Sequence, residues 1–151
     1  MFDAIDNKLL NILQNDSKQT TKQLSLQLHL SVTAVYERIK KLENQKVIQK
    51  YVAIVNKNKI EKSFLVFCHV KLVQHTKEYV TTFEREILKL EEVSECFHVS
   101  GDYDYILKIY VKDMDAYREF LITKLTAIQY IGSTQSTFSI EQVKNSTAIQ
   151  L

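Results

Sequence analysis

Proline and tryptophan are absent from the 151 residues, and glycine occurs only as Gly101 and Gly132. Without proline there is no proline-rich linker. With two glycines there is no glycine-rich phosphate loop, and each glycine is expected where the backbone is unusual. Cysteine is scarce too. Cys68 and Cys96 form no C-x-x-C pair and sit in apolar, strand-like runs, so buried free thiols in a reducing cytosol are expected. No apolar run is long enough to cross a bilayer, and no N-terminal stretch resembles a signal peptide. His29, His69, His75 and His98 are scattered, with no metal set and no nucleophile–base spacing; His69 and His98 could approach each other, as structural histidines. Charge is nearly balanced at +2 but unevenly spread. Residues 1–60 sum to +5 and residues 61–151 to −3. That split suits a module that meets nucleic acid joined to one that does not.

The basic part is organised around residues 28–48, LHLSVTAVYERIKKLENQKVI. Ser31 is a good N-cap, and Val32, Val35, Ile39 and Leu42 follow at helical spacing as one apolar stripe. The opposite face starts with Thr33 and Ala34 and runs into Tyr36, Glu37, Arg38, Lys40 and Lys41. Small residues first and cations after is the layout of a helix that enters the major groove. Residues 3–14 read as a first helix capped by Asp3 or Asp6, with Ile5, Leu9, Ile12 and Leu13 inward. Thr20 or Thr21 starts a short second helix carrying Leu24 and Leu28. Three short helices with tight connections predict a helix-turn-helix. Residues 46–56 alternate weakly and read as a wing or an onward strand, basic enough to touch phosphates.

From residue 63 the apolar period changes to two. Phe64, Val66, Cys68, Val70 and Leu72 share one strand face; the other carries Leu65, Phe67, His69, Lys71 and Val73. A helix is expected over 79–90, strands over 93–100 and 105–111, a helix capped by Asp113 with Met114, Tyr117, Leu121 and Leu125 inward, and a last strand over 134–143 after a turn ended by Gly132. Strand-helix-strand-strand-helix-strand is the split βαβ, ferredoxin-like order, an α+β fold with a four-stranded antiparallel sheet and both helices on one face. The other face lacks cover. Leu65 and Phe67, or Leu107, Ile109 and Val111, are expected to point there and to pack on a second copy. A two-fold homodimer would present two reader helices to half-sites roughly 34 Å or a multiple apart.

The string LS-x-x-x-V-x-x-R-I-x-x-L-E (Leu30, Ser31, Val35, Arg38, Ile39, Leu42, Glu43), then Val47 and Ile48, then the turn Gly101-Asp102-Tyr103-Asp104, resembles the Lrp/AsnC family of transcription regulators. Residues 141–144, with Ser146 and Thr147, resemble that family's closing strand. The resemblance covers essentially the whole chain. It implies a winged helix-turn-helix over 1–48, a linker or wing over 49–62 and a RAM-type effector-binding and oligomerisation domain over 63–151. It also implies double-stranded DNA as partner, a cytoplasmic location, no cofactor and a ring of dimers such as an octamer. His29 and Lys46 stand where the family usually has glycine, so the two turns are expected to survive with altered geometry at some cost.

The candidate DNA contacts are Ser31, Thr33, Ala34, Tyr36, Arg38, Lys40 and Lys41. Arg38 has a rival role, pairing with an acidic residue of the first helix. Glu37 is expected to pair with Lys41; accepting from a cytosine amino group and repelling phosphate are its other readings. An amino acid or related metabolite is expected beside Gly101, Asp102, Tyr103 and Asp104, with hydroxyls from Thr134 and Ser136; the rival reading is a ligand-free hairpin turn. Two alternatives use the same scaffold. One is a sirohaem-type tetrapyrrole decarboxylase, which would have no reason to keep Thr33, Arg38, Lys40 and Lys41 together. The other is a metabolite-sensing assembly module without DNA binding.

Overall fold

The computed structural model describes residues 3–151, so residues 1 and 2 of the expected first domain lie outside the described residues. The chain forms two compact units: residues 3–54 with Val143–Leu151, and Val55–Gln142.

In the helical unit, α1 (Ala4–Asn15), α2 (Thr21–Leu28) and α3 (Val32–Asn44) each begin at a side-chain cap. Asp3 and Asp6 form a reciprocal capping box on α1, and Thr20 and Gln23 another on α2. Leu9, Leu24, Val35 and Leu42 are fully buried together. Each contributes on the order of 2 kcal/mol by leaving water. Val32 departs from its expected place in the stripe: as the first residue of α3 it is 48% exposed.

Both turns flanking α3 close through left-handed residues. His29 has φ 53° and Lys46 φ 58°. After α2, the Leu30 amide donates to the Ser25 carbonyl at 3.1 Å. After α3, Val47 donates to Leu42 at 2.9 Å and Lys46 to Glu43 at 3.0 Å. This pairing is the Schellman closure, in which glycine is the usual left-handed residue. Residues 49–56 form no strand. Among the described residues their alternation has no ladder partner, and Val52 and Ile54 are exposed.

The C-terminal tail belongs to the helical unit. Gln14 reaches it with a reciprocal pair: Nε2 donates to the Ile149 carbonyl at 2.8 Å, and Oε1 accepts from the Ile149 amide at 2.7 Å. One side-chain amide thus supplies what a neighbouring strand's peptide group would supply.

The second unit runs β1 (Phe64–Leu72), α4 (Lys77–Ile87), β2 (Val93–His98), β3 (Tyr105–Val111), α5 (Met114–Phe120) and β4 (Ile131–Phe138). The sheet order is β2-β3-β1-β4, antiparallel throughout. Val66, Cys68, Val70 and Leu72 from β1 and Leu107, Ile109 and Val111 from β3 meet Phe83 and Ile87 of α4 and Tyr117 and Phe120 of α5 in one core. This corrects the β3 expectation. Leu65 faces Tyr110, Phe67 faces Lys108 and His69 faces Ile106 across the ladder. The uncovered face therefore carries Ile106, Lys108 and Tyr110, while Leu107, Ile109 and Val111 lie under the helices, because cross-strand partners share a face.

Two further details differ. After Phe120 the helix widens into a π turn, Leu121–Leu125; Phe120 is buried while Met114 is exposed. Gly132 lies inside β4 rather than ending the turn, which turns through Tyr130 at φ 71°. A Cβ at Gly132 would meet the Val73 nitrogen at 3.2 Å, so its role is close backbone approach.

Candidate nucleic-acid interface and effector hollow

Ser31 Oγ accepts from the Ala34 amide at 3.1 Å, which fixes the start of α3. Behind that cap Thr33, Tyr36, Glu37, Lys40 and Lys41 are exposed, and Ala34 is half-buried. Lys40 Nζ lies 3.1 Å from Glu43 Oε2 and 5.8 Å from the Tyr36 ring centre. The Glu43 hydrogen bond, then its charge, raises the Lys40 ammonium pKa. Glu43 Oε1 also accepts from the Tyr51 hydroxyl at 3.1 Å.

Arg38 is placed differently. One guanidinium nitrogen donates to Asp6 Oδ1 at 2.6 Å and to Asp3 Oδ2 at 2.7 Å. Asp6 is fully buried, and Lys41 Nζ comes within 3.7 Å of its other oxygen. Of the two roles expected for Arg38, the structure shows the pairing with the first helix. Lys41 turns the same way, so the expected Glu37–Lys41 pair does not form, and Glu37 takes part in no salt bridge among the described residues. The Asp6 amide, then Arg38, hold the Asp3 carboxyl below its ordinary range.

In the sheet unit, Gly101 has φ +127° and open space where a Cβ would stand, so glycine is there for the backbone. The turn is pinned at both ends: Val99 donates to the Asp104 carbonyl and Asp104 to the Val70 carbonyl, both at 2.9 Å. Among the described residues the amides of Gly101, Asp102 and Tyr103 have no acceptor within the chain. Asp102 and Tyr103 of this turn, with His69, His98, Val99, Ser100 and Ile106, line a hollow of about 640 Å³. The Tyr103 hydroxyl donates to Gln135 Oε1, and its ring lies 5.2 Å from that of His69.

Not all of the expected effector residues meet here. Asp104 Oδ2 accepts from the Leu72 amide at 2.7 Å and Oδ1 lies 3.1 Å from His75 Nδ1, so this carboxylate braces the turn. Thr134 lies opposite Val70 and Ser136 opposite Cys68. Both therefore face the helices, where Ser136 Oγ is 2.6 Å from the Tyr117 hydroxyl. Burial pushes that hydroxyl up to about 12. Of the β4 residues on the open face, Gln135 is the one opposite His69, and the sequence pattern passed it over together with His69 and Ile106. The alternation itself held the signal: if residues 134 and 136 face one way, 135 faces the other. His69 and His98 both line the hollow, but His98 stacks on Tyr105 at 4.6 Å and lies tilted beside His75 at 5.2 Å.

No helix among the described residues is long and apolar enough to cross a membrane. Residues 2–43 match the family model of the AsnC-type helix-turn-helix domain, and residues 65–149 that of the Lrp/AsnC ligand binding domain. The chain is 38% identical over 148 residues to the leucine-responsive regulatory protein of Escherichia coli K12, covering 98% of this chain and 90% of that one. An AsnC family transcriptional regulator from Agrobacterium tumefaciens superposes with TM-score 0.94 at 33% identity, covering 98% of this chain and 96% of the other. A transcriptional regulator from Neisseria meningitidis, solved as its L-Met complex, superposes with TM-score 0.95 at 27% identity, covering 99% and 96%.

Proposed function

From the premise that the chain belongs to the Lrp/AsnC family of DNA-binding transcriptional regulators, we propose that α3 reads double-stranded DNA and that an amino acid bound beside the Gly101 turn adjusts that binding. Ser31, Thr33, Ala34 and Tyr36 face base edges or sugars, while Lys40 and Lys41 exchange their carboxylate partners for phosphates. Arg38 acts from behind, holding α3 to α1. The observation that carries the effector reading is the set of unused amides at Gly101, Asp102 and Tyr103, in a turn two of whose residues, Asp102 and Tyr103, line the hollow. They offer donors for an α-carboxylate, Asp102 offers an acceptor for the ammonium group, and Ile106 offers apolar surface for a side chain. The L-Met bound to the Neisseria relative supports this ligand class.

The uncovered sheet face supports a homodimer as the working unit. Phe67, Ile106, Tyr110 and the half-exposed Phe97 lie on it, and a second copy presenting the same apolar face is its cover. Dimers then assemble further, as a ring, and the effector acts by linkage on the assembly's geometry or equilibrium. The protein works in the cytoplasm, as a regulator rather than a catalyst. Residues 1–48, 49–62 and 63–151 serve as reader, linker and effector domain, with the closing residues 143–151 anchored on the reader.

Calorimetric titration with each of the twenty amino acids tests the effector claim. At least one binds, and Asp102→Ala with Tyr103→Ala abolishes its heat. Binding undiminished in that variant places the effector elsewhere.

A further inference from the structure

Glu37 is the one acidic residue on the exposed face of α3 with no hydrogen bond or salt bridge among the described residues. It is exposed and stands one turn after Thr33, on the same line along the helix. Its natural partner one turn on, Lys41, is 3.7 Å from Asp6 instead, while Arg38 is held by Asp3 and Asp6 and Lys40 by Glu43. As the sixth residue of a helix that starts at Val32, it lies outside the first turn, where a negative charge would gain from the helix dipole. Removing it costs the fold no hydrogen bond or salt bridge among the described residues.

On a surface that approaches DNA, an unpaired carboxylate repels phosphates and the acceptor atoms of guanine. Its favourable direct contact is with a base that donates into the major groove. Two bases do, cytosine through N4 and adenine through N6. Adenine N6 is flanked by two acceptors, its own N7 and the paired thymine O4. Cytosine N4 has an acceptor on one side only, the guanine O6. A carboxylate therefore fits cytosine better.

We infer that Glu37 is a specificity-determining residue that accepts a hydrogen bond from the N4 amino group of one cytosine in each half-site and lowers affinity for other DNA. This rests on α3 being the reader helix, and the test separates the two claims. Full-length wild type, Glu37→Ala, Glu37→Gln and Thr33→Ala are each used to select binding sequences from a random duplex library. The wild type selects one cytosine per half-site that Glu37→Ala no longer selects, with the other positions kept. Replacing that cytosine by N4-methylcytosine, whose methyl group takes the place of the exposed N–H, weakens wild type by roughly tenfold and leaves Glu37→Ala unaffected. Glu37→Gln binds a scrambled duplex several-fold more tightly than wild type, because one repulsive charge is gone. Thermal unfolding of Glu37→Ala matches wild type, which sets aside a structural role.

An unchanged selected sequence in Glu37→Ala, where Thr33→Ala does change it, overturns the Glu37 assignment and leaves the reader helix standing. Unchanged selection in both variants removes α3 as reader, and the assignment with it. N4-methylation that weakens wild type and Glu37→Ala equally also overturns it.

Discussion

Replacing Arg38 with alanine separates a groove contact from a structural clamp. Asp6 is fully buried, and the Arg38 guanidinium is 2.6 Å from its Oδ1; without it the nearest remaining cation among the described residues is the Lys41 ammonium, 3.7 Å from Oδ2, beside the Asp3 amide that donates to Oδ2 at 3.4 Å. Breaking a buried ion pair from one side costs about 3–5 kcal/mol, because the remaining charge is left uncompensated. Arg38 keeps about a quarter of its side chain exposed and Lys41 remains, so the lower end applies, about 3 kcal/mol. In a unit of this size that lowers the melting temperature by roughly 10–20 °C. Thermal and urea unfolding of Arg38→Ala, Asp6→Leu and the Asp6→Leu/Arg38→Met pair measure it. The paired replacement recovers most of the lost stability, since an apolar pair of similar volume removes both charges. DNA binding at a temperature where all variants are folded follows the same order: lost or weakened in Arg38→Ala through the disturbed α1–α3 packing, and largely regained in the double variant. A stable Arg38→Ala that fails to bind DNA, with no recovery in the pair, would refute the clamp and return Arg38 to the groove.

His29→Gly and Lys46→Gly should each raise stability by about 0.5–1 kcal/mol in urea unfolding, because both residues sit in the left-handed region at φ 53° and 58°. Gln14→Ala removes both bonds to Ile149, so exchange of the Ile149 amide, followed by NMR, should quicken by about tenfold and carboxypeptidase should trim the tail faster. Asp3, ordinarily near 3.8, is depressed in the folded state by the Asp6 amide and Arg38. Its contribution is therefore complete above pH about 4 and is lost as the pH falls below that value, and unfolding of Asp3→Asn should show a shallower loss of stability there than wild type.

The helices were legible because each carries its own start signal. Asp3, Thr20, Ser31 and Asp113 cap where the pattern placed them, and the αα core residues repeat at helical spacing. The strand order followed from the change of apolar period at residue 63. What escaped depends on pairing across the chain. Which way β3 faces is set by its register against β1, and an all-apolar alternation such as Leu107-x-Ile109-x-Val111 cannot say which side is covered. The same holds for β4, where Thr134 and Ser136 face the helices and Gln135 the open face, against Tyr103. The clamp was legible in part. A reader-helix arginine and an acidic residue at the start of α1 are visible in the string, but only the packed structure puts Asp6 at zero exposure beneath Arg38. Residues 49–56 mark a different limit, since a β-like alternation makes a strand only where a ladder partner exists.

Fluorescence anisotropy against the promoter upstream of the protein's own gene, across a range of salt, tests the central claim most directly. A scrambled duplex and a Thr33→Ala/Tyr36→Ala/Lys40→Ala variant run beside it. Tight binding with a steep salt slope, lost on the scrambled duplex and in the variant, is the predicted result. A variant that binds the promoter as tightly as wild type, with the same salt slope, would contradict α3 as the reader.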